Sequence, residues 1–226
     1  MQRLLYIFLA SVLLSACSKG AYDAWNDAPA TSVKDPISAI VTVKQDAAGR
    51  IFFQLDEDTR VYPVNYDHPY KGLQRIICQI SLKEEKSECY IHWMDEIERG
   101  GGYNLPDTSE GYNGAGNRVG LDILDDWMTS VEDGFLTVHY SAWWGEGKIP
   151  HTLILYRSPE EENTFELTLV HFDNGDAALE KGDALIYFDI NPLLPDTQGE
   201  HTTLTLKWTT LEGAAASKQF QFRSRQ

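Results

Sequence analysis

The sequence has no apolar run long enough to cross a bilayer as a helix, which needs about 20 residues. A shorter apolar run, LLYIFLASVLL, covers residues 4–14 directly after Arg3 at the N-terminus. Its length is typical of the core of a secretory signal. Charged residues interrupt every later hydrophobic stretch. The sequence therefore predicts export of the chain without a membrane-spanning helix.

The chain is also poor in positive charge, with 19 Lys and Arg against 34 Asp and Glu and a net charge of −15 at pH 7. Proteins that bind nucleic acid need basic patches to contact the phosphates. We therefore expect no nucleic-acid partner. We also expect the acidic body of the protein not to adhere to an anionic membrane surface.

Cysteine is scarce, with three residues in the chain, and the first of them follows the apolar run. The segment Leu-Ser-Ala-Cys at 14–17 resembles the lipobox of bacterial lipoproteins. Ser15 and Ala16 are small enough for a peptidase to cut before Cys17, whose thiol would then carry a diacylglycerol thioether. Two or more acyl chains, such as palmitate, hold a protein stably in a bilayer. We predict a signal peptide at 1–16 and lipidation of Cys17 as the only membrane attachment.

The residues behind Cys17 indicate where the lipid would be inserted. No Asp follows Cys17 directly, so nothing indicates retention at an inner membrane. We expect the protein in the cell envelope, anchored in the outer membrane. The sequence is compatible with either its periplasmic or its surface-exposed leaflet. Residues 17–36 are rich in Ala, Asp, Pro and Ser and lack periodicity, which predicts a tether.

The two remaining cysteines, Cys78 and Cys89, lie on either side of a charged segment, KEEKS at 83–87, between two strand-like runs. Directly opposed residues of a hairpin are close enough for a disulfide. An oxidising compartment permits that bond. The sequence leaves two states open, a Cys78–Cys89 disulfide and two thiols that are buried separately.

Sustained helical periodicity is absent, which leaves short runs of β-branched and aromatic residues separated by turn chemistry. Five such runs between 37 and 99 predict a small OB-like barrel. The glycine-rich segment 100–118 predicts a linker between domains. About seven further runs in 119–226 predict an immunoglobulin-like antiparallel β-sandwich. The expected fold is all-β, a barrel followed by a sandwich.

Short motifs along the mature chain resemble those of the NigD-like lipoproteins of anaerobic Gram-negative bacteria. The matching segments are IFFQLD at 51–56, VYP at 61–63, LDDW at 124–127, FLTVHY at 135–140, His151 before LIL, FEL at 165–167, HFDNGD at 171–176 and YFD at 187–189. The resemblance implies a lipobox, an N-terminal OB-like domain and a C-terminal sandwich. It also implies an association with bacteriocin production or immunity, and it carries over no catalytic residues.

Three histidines of the predicted sandwich, His139, His151 and His171, would form a zinc site only if their imidazoles converged. Their spacing matches no short zinc motif, so we expect buried structural histidines, His171 above all. No G-x-S-x-G motif is present. Ser141 closely follows His139 on a strand whose adjacent residues point to opposite faces, so no nucleophilic site is expected.

Acidic runs occur at strand ends and turns, where solvated carboxylates are common. The runs are Asp56-Glu57-Asp58, Asp125-Asp126 and Glu160-Glu161-Glu162. The segment Asp173-Asn174-Gly175-Asp176 lacks the ligand spacing of an EF-hand. Its Asn-Gly pair is typical of a tight turn, which is what we expect there.

Aromatic residues offer the strongest candidate for a binding site. Tyr140, Trp143 and Trp144 precede a glycine-containing loop and would offer large contact areas to a protein or a sugar ring. The alternative is that the tryptophans cover the end of the sandwich. Tyr103 and Tyr112, in the glycine-rich segment, form a second and weaker candidate.

The sequence thus predicts a non-enzymatic envelope lipoprotein that has no cofactor or metal and presents a binding surface. A protein partner is the first hypothesis, including a bacteriocin-associated or immunity role. A glycan bound by Trp143 and Trp144 is the alternative. The identity of the ligand and the oligomeric state stay open.

Overall fold

The computed structural model describes residues 35–83, 87–103, 117–146, 149–157 and 164–225. The predicted signal peptide, Cys17 and most of the predicted tether lie outside these ranges, as do Tyr112 and the run 160–162. The described part of the chain is all-β and contains no helix long and apolar enough to span a membrane.

Five strands form the N-terminal half: β1 (Ile37–Gln45), β2 (Ile51–Gln54), β3 (Arg60–Pro63), β4 (Gln74–Leu82) and β5 (Glu88–Glu96). They close into a barrel in the order β1-β2-β3-β5-β4. Alternate residues such as Val41, Val43, Phe53 and Val61 are buried inside it, because successive side chains of a strand point to opposite faces. The OB-like barrel expected from the sequence is present.

The cysteines Cys78 and Cys89 lie in the barrel core as free thiols. In the β4–β5 hairpin, Cys78 lies opposite Met94 and Cys89 lies opposite Leu82. The disulfide left open by the sequence is therefore not formed, because the strand register does not place the two cysteines opposite each other. Burial raises the pKa of each thiol to about 12, which keeps both thiols protonated.

Eleven further strands follow the barrel: β6 (Glu98–Arg99), β7 (Gly101–Tyr103), β8 (Arg118–Val119), β9 (Asp122–Ile123), β10 (Ser130–Glu132), β11 (Phe135–Trp144), β12 (Thr152–Tyr156), β13 (Glu166–Phe172), β14 (Glu180–Asp189), β15 (Thr202–Thr209) and β16 (Ala215–Phe222). One sheet has the order β10-β11-β14-β6, with β9 also paired to β11. The other has the order β16-β15-β13-β12-β7, with β8 also paired to β13.

The two sheets pack face to face around one apolar core. Its members include Leu136, Val138 and Phe188 from the first sheet and Leu155, Leu167, Leu204 and Leu206 from the second. The alternation of leucines along β15 follows the expected half-buried pattern. This domain is the β-sandwich expected from the sequence, although β13–β15, β12–β7 and β14–β6 pair in parallel.

The glycines at the start of the segment 100–118 serve close packing. Strands β6 and β7, which flank Gly100, pair with β14 and β12 at the edges of the sandwich. A Cβ atom at Gly100 would overlap the Phe188 ring, and one at Gly102 would lie 2.8 Å from Leu193. The described ends of this segment are therefore strands of the sandwich, where the sequence suggested a linker.

Arg75 joins the barrel to the sandwich. Its side chain is fully buried and donates hydrogen bonds to Glu132 Oε2 at 2.9 Å, Thr42 Oγ1 at 3.2 Å and Thr137 Oγ1 at 3.3 Å. Around it, Ile40 and Ile97 of the barrel side pack against Phe135 and Tyr187 of the sandwich. The barrel side thereby packs against the outer face of the β11–β14 sheet at Phe135 and Tyr187.

Candidate functional site

Strand β11 separates the aromatic residues that the sequence grouped together. Tyr140 and Trp144 point into the sandwich, where Tyr140 is buried and Trp144 packs against the core. The Trp144 ring stacks on His151, with the ring centroids 4.4 Å apart. Trp143 points outward and is 46% exposed. The three residues therefore share no surface, and only Trp143 is a candidate for contact with a ligand.

Beyond the part that packs against the barrel, the outer face of the β11–β14 sheet includes the exposed Trp143. We call this part of the face the outer-face site. Its members are His139, Ser141 and Trp143 on β11, Lys181 and Asp183 on β14, Asp122 on β9, and Asp126 and Trp127 in the turn after β9. Three of these eight side chains are carboxylates, and the basic ones are Lys181 and His139.

His139 is held between two carboxylates of the outer-face site. Its Nδ1 donates to Asp126 Oδ2 at 2.6 Å and its Nε2 to Asp183 Oδ2 at 2.9 Å. Burial alone would lower the pKa of His139, but the hydrogen bonds to Asp183 and Asp126 outweigh burial and raise it. The site thus favours an imidazolium ring with both nitrogens occupied.

Ser141 lies two residues from His139 and therefore on the same face of the strand, between Asp122 and Asp183 of the neighbouring strands. Its hydroxyl oxygen is buried and has no hydrogen-bond partner among the described residues. For His139 to act as the general base of this hydroxyl, a ring nitrogen would have to be unprotonated and within reach, and both nitrogens of His139 donate to carboxylates. His139 and Ser141 therefore do not form a nucleophilic pair.

The turn after β9 carries a second exposed tryptophan. Asp126 Oδ1 accepts a hydrogen bond from the Met128 amide, and Thr129 Oγ1 donates to the Leu124 carbonyl. Trp127 is 54% exposed at the top of this turn. The sequence identified Trp127 only as part of the LDDW motif, because its exposure depends on the turn that follows the short strand Asp122–Ile123.

A second histidine site lies inside one end of the sandwich. His171 Nδ1 donates to the Gly120 carbonyl at 3.2 Å, and His171 Nε2 lies 2.8 Å from His151 Nδ1. His151 Nε2 lies 3.2 Å from Asp176 Oδ2, which also accepts from the Gly145 amide at 2.7 Å. Burial lowers the pKa of His171 to about 4, against the opposing effect of the Gly120 carbonyl.

The outer contacts of this second site fix two of its donors. The carbonyl of Gly120 and the carboxylate of Asp176 can only accept, so the ring nitrogens that face them donate.

The other acidic candidates are turn and ion-pair residues. Asn174 and Gly175 form the expected tight turn, with φ of 54° and 84°. Asp56 accepts hydrogen bonds from the amides of Asp58 and Thr59, and Glu57 pairs with Arg223. Across the described ranges, no three or more His, Cys, Asp and Glu side chains are placed to hold a metal.

Comparison with known proteins identifies the sandwich. A sequence model of the NigD-like C-terminal β-sandwich domain matches residues 106–222, just over half of the chain. The comparison with curated proteins finds no match.

Solved structures share the fold over most of the chain. A protein of Parabacteroides distasonis described as toxin-related is 20% identical, with a TM-score of 0.70, and 84% of this chain and 94% of that one are covered. A Bacteroides caccae protein described as a NigD-like immunity protein is 16% identical, with a TM-score of 0.59 and coverage of 84% and 98%. A Bacteroides fragilis protein described as a lipoprotein is 11% identical, with a TM-score of 0.59 and coverage of 85% and 100%.

Proposed function

Because the chain belongs to the family that carries the NigD-like C-terminal β-sandwich domain, we propose that it is a lipid-anchored envelope protein that binds a protein partner without catalysis. The observation that carries the proposal is the pair of exposed tryptophans, Trp127 and Trp143, on the outer-face site. Tryptophan is strongly enriched among the residues that dominate binding energy at protein interfaces.

The charge around these tryptophans indicates a basic partner. Asp122, Asp126 and Asp183 belong to the outer-face site, and His139, which is held between two of these carboxylates, and Lys181 are its basic members. The chain as a whole has a net charge of −15. Complementary charge accelerates association and selects partners. A partner with arginine or lysine beside an apolar pocket would fit this surface.

The proposed partner is a toxin or bacteriocin protein, and the role is one of immunity. Two of the structural neighbours are described as an immunity protein and a toxin-related protein, which supports a protein ligand. A neighbour described as a lipoprotein, together with the lipobox at 14–17, supports anchoring through Cys17. The occupied nitrogens of His139 support a binding role for this face, because they leave His139 unable to accept a proton from Ser141.

Site-specific cross-linking of the membrane-anchored protein tests the proposal. A photoreactive phenylalanine analogue would replace Trp143 in one variant and Trp93 in another. Trp93 is a matched control, because it lies on the barrel and is 42% exposed, against 46% for Trp143. We expect position 143 alone to yield one basic protein as an adduct.

Affinity for that cross-linked protein then distinguishes the two tryptophans. Trp143→Ala should weaken binding by a factor of about 30, as expected for a residue worth about 2 kcal/mol at an interface. Trp93→Ala should leave binding unchanged. Equal adducts at both positions, or no adduct at 143, would contradict the proposal. Retention on a neutral polysaccharide column that Trp143→Ala abolishes would instead support the glycan alternative.

A further inference from the structure

Three titratable side chains meet inside one end of the sandwich, away from the outer-face site. The side chains of His151 and Asp176 are 2% and 6% exposed, and His171 is 2% exposed. Direct contacts link the three in a row, from His171 through His151 to Asp176. We call these three residues the histidine cluster. It connects the segment before β12 to β13 and to the turn that follows β13.

His171 is the fixed member of the histidine cluster. It lies within β13, where it is paired with β12 on one side and with β8 on the other, and its Nδ1 donates to the Gly120 carbonyl. His151 lies outside the ladder, since the pairing of β12 with β13 begins at Thr152. The residue before it, Pro150, is exposed. His151 is therefore the member that moves when the contact between the rings breaks, because few backbone bonds hold its segment.

Two neighbouring features depend on the position of His151. The Trp144 ring stacks on the His151 ring, with the centroids 4.4 Å apart and an interplanar angle of 20°. The turn after β13 is tied to the same segment, because Asn174 Nδ2 donates to the Pro150 carbonyl at 2.7 Å. Displacement of His151 would therefore remove the stacking partner of Trp144 and loosen this turn.

The contact between the two rings has room for a single hydrogen. His171 Nε2 and His151 Nδ1 lie 2.8 Å apart, and both nitrogens of a charged imidazole carry a hydrogen. If both rings were charged, two N–H groups would point at each other across this distance. The contact is therefore compatible with at most one charged ring.

Carboxylates act on the cluster from the turn after β13. A hydrogen bond from the Gly145 amide and the contact with His151 outweigh burial and hold the pKa of Asp176 below its ordinary value. Burial would raise the pKa of Asp173, but hydrogen bonds from backbone amides outweigh burial and lower it. Asp173 attracts a proton to both rings electrostatically. Both carboxylates therefore keep their negative charge in mild acid.

The surroundings of His171 oppose a charge on this ring. Burial lowers the pKa of His171 to about 4 and so outweighs the Gly120 carbonyl and Asp173, and a charge on His151 lowers it further. Tyr140 of β11 lies with its ring centroid 6.3 Å from that of His171, and burial raises the pKa of Tyr140, which keeps it neutral. A second charge in the cluster is therefore resisted while the cluster stays closed.

We propose that the histidine cluster is an acid-sensitive switch, in which protonation of the second ring breaks the His151–His171 contact and releases the segment before β12 from Trp144. The closed state is fully favoured above pH 6.5, the ordinary pKa of histidine, and this advantage is lost as the pH falls to about 4. Because opening is coupled to the uptake of one proton, its equilibrium constant should rise about tenfold for each pH unit in this range. The proposal does not depend on the protein partner.

Fluorine NMR of the full-length chain in detergent, labelled with fluorotryptophan, tests the proposal. The chain has six tryptophans, and Trp144→Phe identifies the resonance of Trp144. We expect this resonance to move reversibly as the pH falls from 6.5 towards 4, while those of the exposed Trp93 and Trp127 stay in place. A Trp144 resonance that stays unchanged down to pH 4, or movement of all the resonances together, would overturn the proposal.

Two variants and a control assign the movement to the histidine cluster. His171→Asn keeps a donor for the Gly120 carbonyl but takes up no proton, so Trp144 should stay in place in acid. Asp173→Asn removes a charge that favours protonation of His171, so the midpoint should move to lower pH. His201→Asn replaces a histidine that is 52% exposed and should titrate as the wild type does.

Each of these variants can contradict the switch. A wild-type titration of Trp144 in His171→Asn, an unchanged midpoint in Asp173→Asn, or a shifted midpoint in His201→Asn would overturn the proposal. If His171→Asn fails to fold, the midpoint in Asp173→Asn decides.

Discussion

Both histidine sites of the sandwich combine imidazole rings with aspartate carboxylates, but the pKa of a histidine is raised in one and lowered in the other. In the outer-face site His139 contacts two carboxylates, and its pKa is raised. Inside the end of the sandwich, His171 contacts a carbonyl and another imidazole, and burial lowers its pKa to about 4. Carboxylates that face both ring nitrogens thus raise the pKa of a largely buried imidazole, whereas burial without them lowers it.

The difference also assigns different structural roles to the sites. Asp126 connects His139 to the turn that carries Trp127, so the hydrogen bond holds an exposed side chain in place. His151 supports Trp144 by ring stacking. Glycine at position 145 permits the hydrogen bond from the Gly145 amide to Asp176, because a Cβ atom there would overlap the Asp176 carboxylate. The outer-face site holds an exposed side chain in place at the surface, whereas the site of His151 and His171 packs one end of the sandwich core.

The largest loss of stability is expected when the buried site of His151 and His171 is disrupted. His171→Leu would leave the Gly120 carbonyl and His151 Nδ1 buried without their partners. We expect the free energy of unfolding to fall by about 2–4 kcal/mol. Urea denaturation measures the change. His68→Leu, at an exposed position on the barrel, is the control and should change stability by less than about 0.5 kcal/mol.

A smaller and pH-dependent effect is expected at His139. Because its pKa is raised in the folded state, its stabilisation is complete below the ordinary value of 6.5 and is lost as pH rises through the folded pKa. Asp126→Asn should therefore lower the free energy of unfolding by about 1–2 kcal/mol below pH 6.5. The difference in the free energy of unfolding between this variant and the wild type should become smaller at alkaline pH.

Denaturation curves at several pH values test this sign. Asp125→Asn is a matched control, because Asp125 is the adjacent carboxylate and is 90% exposed in its pair with Lys218. That variant should show no such pH dependence. The raised pKa of His139 would be contradicted if the difference in the free energy of unfolding between Asp126→Asn and the wild type grew as the pH rose.

The sequence predicted most of the fold because the decisive signal was local. Alternation of apolar residues marks β15 and the barrel strands without knowledge of their neighbours. The parallel pairing of β6 and β7 with β14 and β12 left no such signal, since the partners lie far along the chain. Glycines that permit close packing against Phe188 look the same in sequence as glycines of a linker.

The candidate site was predicted only in part. Trp143 was identified, but the opposite orientations of Trp143 and Trp144 follow from strand alternation and were available in the sequence. The contacts of His139 with Asp126 and Asp183 were not available, because three separate segments form them. The register of Cys78 and Cys89 was hidden as well, since it depends on the position of the turn between β4 and β5, which places Leu82 opposite Cys89.

The smallest expected effect distinguishes the two carboxylates that hold His139. Asp183 is 66% exposed, whereas Asp126 is 32% exposed. Solvent screens an exposed pair, and holding its side chains costs entropy, so Asp183→Asn should change the free energy of unfolding by less than about 0.5 kcal/mol. Urea denaturation below pH 6.5, where the stabilisation by His139 is complete, provides the measurement. A loss equal to that of Asp126→Asn would show that both carboxylates stabilise His139 alike, and that the comparison must rest on contact geometry instead of exposure.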